Sequence, residues 1–134
     1  MKVQKEIEVI LTRQLASYLA MPIFVVDPQG SLIYYNESAE EILGCRFEET
    51  GEMPADEWGT IFIPTDANGL PLAPEQLPLL IALHEHRPIH RDFWIQSLNS
   101  LAPRRHIEAT AFPLIGQAER DLGAVAIFWE VLAL

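Results

Sequence analysis

The stretch Pro22–Gly44, PIFVVDPQGSLIYYNESAEEILG, decides the fold. Two apolar runs, Ile23–Val26 and Leu32–Tyr35, flank Asp27-Pro28-Gln29-Gly30. Asp at the first position, Pro with its preset φ at the second and Gly at the fourth give the chemistry of a type I turn. β-branched and aromatic runs around such a turn predict a β-hairpin. A helix follows at once. Asn36 can cap it, Glu37 suits its positive end and Gly44 can terminate it. Ala39, Ile42 and Leu43 share one face at helical spacing.

Upstream, residues 3–20 read as an amphipathic helix. Val3, Ile7, Ile10, Leu11, Leu15, Tyr18 and Leu19 recur at three- and four-residue steps with polar residues between them. Pro22 ends the pattern, because the residue before a proline is pushed out of helical space. The chain therefore divides into an N-terminal helix, residues 1–20, and a domain over residues 21–134. The apolar stripe needs cover from its own sheet, from a second copy of the chain, or from both. Val3, Ile7, Ile10, Leu11 and Tyr18 are the candidate dimer contacts.

Downstream, Cys45–Trp58 reads as an irregular acidic segment. Carboxylates crowd between Glu37 and Glu57 with only Arg46 against them, which describes a solvated face better than a cation site. Trp58, Ile61, Phe62 and Ile63 form an apolar patch that needs burial. Pro64–Gly69 is a loop by composition, and Asn68-Gly69 suits a positive φ. Residues 74–86, PEQLPLLIALHEH, read as the longest internal helix, with Pro74 or Pro78 in its first turn. Leu77, Leu80, Ile81 and His84 are expected on one face, and Pro88 stops the helix. Three strands finish the chain: Ile89–Leu98, Arg104–Phe112 limited by Pro113, and Leu122–Leu134. The last is apolar on both faces, with Val125, Ile127 and Trp129 on one and Ala124, Ala126 and Phe128 on the other, so it needs cover on both sides. Successive strands predict an antiparallel meander that the first hairpin joins. The expected fold is α+β, a five-stranded antiparallel sheet with short helices over one face.

At 134 residues and 49% hydrophobic content the chain suits one domain with a real core. A net charge of -10 argues against nucleic acid and anionic membrane surfaces, which both select clustered Lys and Arg. The single cysteine, Cys45, allows no intrachain disulfide and points to a reducing cytoplasm. The N-terminus is too polar for a signal peptide, and no apolar window reaches membrane-spanning length.

These elements, in this order, resemble the PAS domain family of sensory modules over about residues 20–131. Asp27-Pro28-Gln29-Gly30 resembles the family's first-hairpin turn, and Ile33-Tyr34-Tyr35-Asn36 its second strand with a terminal Asn. Ala39, Ile42, Leu43 and Gly44 match the helix that follows. Asn68-Gly69-Leu70-Pro71-Leu72 and Glu75-Gln76-Leu77-Pro78-Leu79 are similar to a linker and helix of many bacterial members. Phe112-Pro113-Leu114 and Gly123-Ala124-Val125 resemble the last two strands. The family's last strand commonly ends in Asp-Ile-Thr, whereas Glu130-Val131-Leu132 stands here. No kinase, cyclase or DNA-binding segment is present, so the chain is either free-standing or cut from a larger protein.

The resemblance implies a cytoplasmic module that senses a signal, by binding a small ligand in an apolar pocket, by contacting other proteins, or both. It would serve as the regulatory part of a histidine kinase or a similar signalling protein, and as a homodimer. Phe24, Val26, Trp58, Leu80, His84, Phe93, Ile107 and Ala109 are the candidate pocket residues. His84 is the one plausible axial ligand for haem, which needs an imidazole in an apolar pocket. A lone His on such a face is more commonly a core residue, and the four histidines form no zinc pattern. Gly44-Cys45-Arg46-Phe47 echoes the cysteine motif of the family's flavin photosensors, but Cys45 lies too early and Glu48-Glu49 follow it, so flavin chemistry is not expected. No nucleophile elbow or phosphate loop is present, and no enzyme activity is expected. The alternative to a ligand sensor is a ligand-free dimerisation module. A small-pocket enzyme is the third reading.

Overall fold

The hairpin forms as its turn chemistry dictates. Gly30 N–H donates to the Asp27 carbonyl (2.9 Å), and Asp27 Oδ1 accepts from the N–H groups of Gln29 and Ser31 (both 3.0 Å). In this computed structural model, which describes residues 7–18, 21–61, 64–95 and 104–131, the turn joins β1 (Ile23–Val26) to β2 (Leu32–Tyr35). Helix α2 (Glu37–Leu43) follows, capped by Asn36 in extended backbone and closed by Gly44 at φ 84°. Asn36 is buried and ties three segments together. Its Oδ1 accepts from Ile23 N–H (3.0 Å) and Ala39 N–H (3.1 Å), while its Nδ2 donates to the Met21 carbonyl (2.8 Å). One amide side chain thus fixes the start of the sheet against the start of the helix.

The chain next builds α3 (Phe47–Thr50) and α4 (Ala55–Ile61) where an irregular segment is expected. These helices span one or two turns, too few for an apolar period to register. Their acidic first turns, Glu48-Glu49 and Asp56-Glu57, suit positive helix ends. Met53 between them pairs with Leu32 at the outer edge of β2. The predicted helix over residues 74–86 is a 3₁₀ turn at Pro74–Gln76 followed by α5 (Pro78–Glu85), with Pro78 in the first turn, where its missing N–H is tolerated.

Strands β3 (Ile89–Ile95), β4 (Arg105–Ile115) and β5 (Asp121–Glu130) complete one sheet in the order β2-β1-β5-β4-β3, with every neighbouring pair antiparallel. The expected five-stranded antiparallel sheet is the observed one. β4 does not stop at Pro113 but runs on to Ile115. Trp94 bonds outward to Thr65 on the free side of β3. Hydrogen-bonding direction alternates along a strand, so the odd-numbered peptide groups of β4 face β3. β3 ends opposite Ala111, so the ring nitrogen of Pro113 points where no strand needs a donor.

The sheet is apolar on both sides. Its inner face carries Phe24, Ile107, Ala109, Ala111, Ala124, Ala126 and Phe128, buried beneath α2, α4 and α5. On the outer face Ile23, Val25, Ile33, Leu122 and Val125 are buried as a second cluster. Helix α1 (Ile7–Tyr18) reaches this side, since a Cβ built on Gly116 in the β4–β5 turn would meet the Glu8 carboxylate. Toward β3 the outer face turns polar and aromatic. Trp94 stacks on His106 (4.5 Å), His106 meets Asp92 (2.8 Å), Arg104 lies over Trp94 (4.9 Å) and Trp129 Nε1 donates to Glu108 (3.0 Å).

Gly123 lets β5 lie against β1. It sits at φ 120°, and an added Cβ would overlap the Val26 carbonyl. We expect Gly123→Ala to cost about 3 kcal/mol in urea unfolding. Gly51→Ala, at φ 65° and ψ -167° with open space around it, should cost about 1–3 kcal/mol from backbone strain alone.

Candidate functional site

Helix α5 lies across β3, β4 and β5, with Leu79, Leu80, Ala82 and Leu83 turned into the core. Beneath it the inner face narrows to alanines at Ala109 and Ala126, between the larger Ile107 and Phe128. Small side chains on the floor leave space under the helix, and a cavity of about 70 Å³ remains there. Phe24, Trp58, Phe93, Ile107 and Ala109, five of the eight residues named from sequence as pocket candidates, line it. Leu43, Pro64, Leu77, Pro78, Leu79, Ile95, Ala126 and Phe128 complete the wall. Ala126 and Phe128 were legible, since they share the inner face of β5 by alternation. Pro64 was not, because a loop residue carries no periodicity.

Val26 and Leu80 are buried in the same core but do not line the cavity. His84 is a correction, because its side chain is exposed and faces away from the cavity. The buried arc of α5 centres on Leu79, and five residues further on a helix has turned about 140° from that centre. Of the candidate dimer contacts, Ile7, Ile10 and Leu11 lie exposed on α1. Val3 falls outside the described residues.

Every lining side chain is apolar, so the cavity offers no acid, base, nucleophile or metal ligand. Its one polar handle is already used, because Trp58 Nε1 donates to the Gly30 carbonyl (3.0 Å). Phe24 stacks on Tyr35 (5.9 Å, 5°) and meets Trp58 edge-on (5.2 Å). The chamber discriminates by shape and apolar area. The Tyr35 hydroxyl, beside it, donates to the Cys45 carbonyl (2.9 Å) and lies 3.2 Å from Cys45 Sγ. Burial, reinforced by the contact with Cys45, holds the phenol well above its usual range. Burial also pushes the Cys45 thiol up, and Glu49 and Glu40 add to this. Cys45 is therefore a thiol at neutral pH, a poor nucleophile, and outside the cavity wall.

A model described as PAS domain matches residues 11–84, more than half of the chain. The chain belongs to the PAS domain family. Solved PAS structures share its fold. It superposes on the PAS domain of a protein from Colwellia psychrerythraea with a TM-score of 0.63 at 16% identity, covering 92% of this chain and 96% of that one. For the PAS domain of nitrogen regulation protein NR(II) from Vibrio parahaemolyticus the TM-score is 0.62 at 16% identity, covering 90% and 98%. For the LOV protein of Rhodobacter sphaeroides it is 0.72 at 13% identity, covering 94% and 68%. No curated sequence matches the chain.

The two prosthetic groups that the PAS resemblance brings into question, haem and flavin, do not fit this cavity. No imidazole or thiol lines it, and about 70 Å³ is far below the roughly 300 Å³ where sites for such ligands begin.

Tyr35 supplies a pH test. A phenol with a raised folded pKa contributes stability that is fully present below the ordinary tyrosine range and lost as pH rises through and above it. At pH 7, Tyr35→Phe should cost about 1 kcal/mol for the lost hydrogen bond to Cys45. In urea unfolding the difference between wild type and variant should shrink at pH 11, where only the wild type carries this alkaline loss.

Proposed function

We propose that this PAS domain is a sensory module whose signal is a small apolar molecule bound between α5 and the sheet. The observation that carries the reading is a wholly apolar internal space floored by Ala109 and Ala126. Its size adds a mechanism. A cavity of about 70 Å³ is half the ~150 Å³ that accepts a benzene ring, so a ligand of that size must move the wall. Binding is then tied to the position of α4 or α5, and the ligand prefers one arrangement over the other, as signalling requires. The module works in the cytoplasm as the regulatory part of a histidine kinase or similar signalling protein. Membership of the PAS family, whose fold also occurs in a nitrogen regulation protein, supports a regulatory role.

A second surface supports a dimeric form. Ile7, Leu11 and Leu15 follow one another at four-residue steps on α1 and are 64%, 55% and 61% exposed. Such an apolar stripe suits a second copy of the helix. If dimerisation is the whole function, the cavity is a packing defect and nothing binds in it.

Benzene titration followed by NMR separates the readings. We expect saturable shifts at Phe24, Ile107 and Ala109 that vanish in Ala126→Leu, which fills the floor. Absence of saturable shifts up to the solubility of benzene contradicts the ligand reading. In sedimentation, Leu11→Glu combined with Leu15→Glu should weaken self-association at least about tenfold, equivalent to ~1.4 kcal/mol. Unchanged association contradicts the dimer surface.

A further inference from the structure

We propose that the free edge of β3, with the groove between it and α5, docks an extended peptide segment that alternates apolar and basic side chains. β3 is an outermost strand, exposed from His90 to Asp92. Its edge is already used as a template at one end, where Thr65 and Trp94 exchange both backbone hydrogen bonds (2.7 and 2.9 Å) in an antiparallel bridge. Alternation turns the peptide groups of Asp92 and His90 to the same open side. No strand lies opposite them among the described residues. At His90 the carbonyl accepts only the flanking Arg91 side chain there (3.1 Å).

Beside this edge runs a groove of about 410 Å³, floored by Leu72, Pro78, Ile81 and Phe93. Glu75, Glu85 and Asp92 rim it against Arg91. Arg87 engages Glu85 at 2.7 Å, and Asp92 stays a carboxylate beside His106 at 2.8 Å, so the negative charge left for a partner sits toward Glu75 and Asp92. An added strand shares the faces of β3. Its residues on the inner side enter the apolar groove beside Phe93, and those on the outer side meet Asp92. Apolar and basic residues must therefore alternate.

A second copy of β3 is a poor occupant of this edge. Two-fold pairing about Asp92 sets Asp92 against Asp92, pairing about Arg91 sets Arg91 against Arg91, and pairing about His90 sets Asp92 against Pro88, which has no N–H to donate. Like charges directly opposite each other destabilise a strand pair. A separate basic, β-prone segment meets neither obstacle.

The test uses the full chain and a synthetic hexapeptide of alternating lysine and valine, blocked at both ends. With about 2 mM peptide, near the weak end of specific association, amide hydrogen exchange at His90 and Asp92 should slow at least about tenfold. Shifts in those amides should saturate. Ile81→Lys, which places a charged side chain where the apolar residues of the peptide must sit, should abolish the slowing while thermal unfolding shows the variant folded. Three results overturn the proposal: no slowing at these two amides, equal slowing with an analogue N-methylated along its edge-facing amides, or equal slowing with a peptide of three lysines followed by three valines.

Discussion

The structure depends on β5 being apolar on both faces and central to the sheet. The hairpin β1–β2 and the pair β3–β4 come from opposite ends of the domain, and each reaches the sheet through β5 alone. Ala124, Ala126 and Phe128 face the helices, while Ile23, Val25 and Ile33 join Val125 on the other side. Gly123 gives β5 the close approach to β1 that this joint needs. Asn36 then holds the far side of β1 to α2, so the helical layer inherits its position from the same strand. Hydrophobic burial drives the assembly, but backbone approach at Gly123 and one satisfied amide at Asn36 decide its register.

That arrangement also places the cavity. Phe128 and Ala126 line it from β5, whereas Val125 and Ile127 on the same strand belong to the outer cluster. A displacement of the floor and a response outside need no long chain of contacts, because neighbouring residues of one strand face both layers. A ligand of benzene size exceeds the space under α5, so its entry and movement of the wall would be a single event. Cores are close-packed and respond to added volume by shifting between arrangements rather than by stretching.

Local chemistry was legible in the sequence wherever a few adjacent residues decide it. The Asp27–Gly30 turn, the Asn36 cap, the Gly44 terminus and the two-faced character of β5 all appear at the expected positions. The fold followed from these together with the order of the elements. The errors came from long-range facts. Whether Pro113 breaks β4 depends on where β3 stops, which Pro113 itself does not encode. His84 looked like a wall residue because Leu77 and Leu80 precede it at helical steps, yet α5 begins at Pro78 and turns Leu79 to the centre of its buried face. The acidic stretch after Gly44 hid two helices because each spans only one or two turns, too few for an apolar repeat to register. Five of the cavity residues were named from sequence, four on the inner face of the sheet and Trp58 on α4. The space itself depends on alanines at Ala109 and Ala126, and the first of these was named only as wall.

We propose that a molecule seated under α5, by moving the wall against β5, is also felt on the outer face of that strand. Methyl NMR of Val125 and Ile127 during benzene binding tests it most directly. The account predicts that these outer-face methyls shift along the same saturation curve as Ala126 and Ile107 within the cavity. Shifts confined to the inner residues, with Val125 and Ile127 unmoved at saturation, would contradict it.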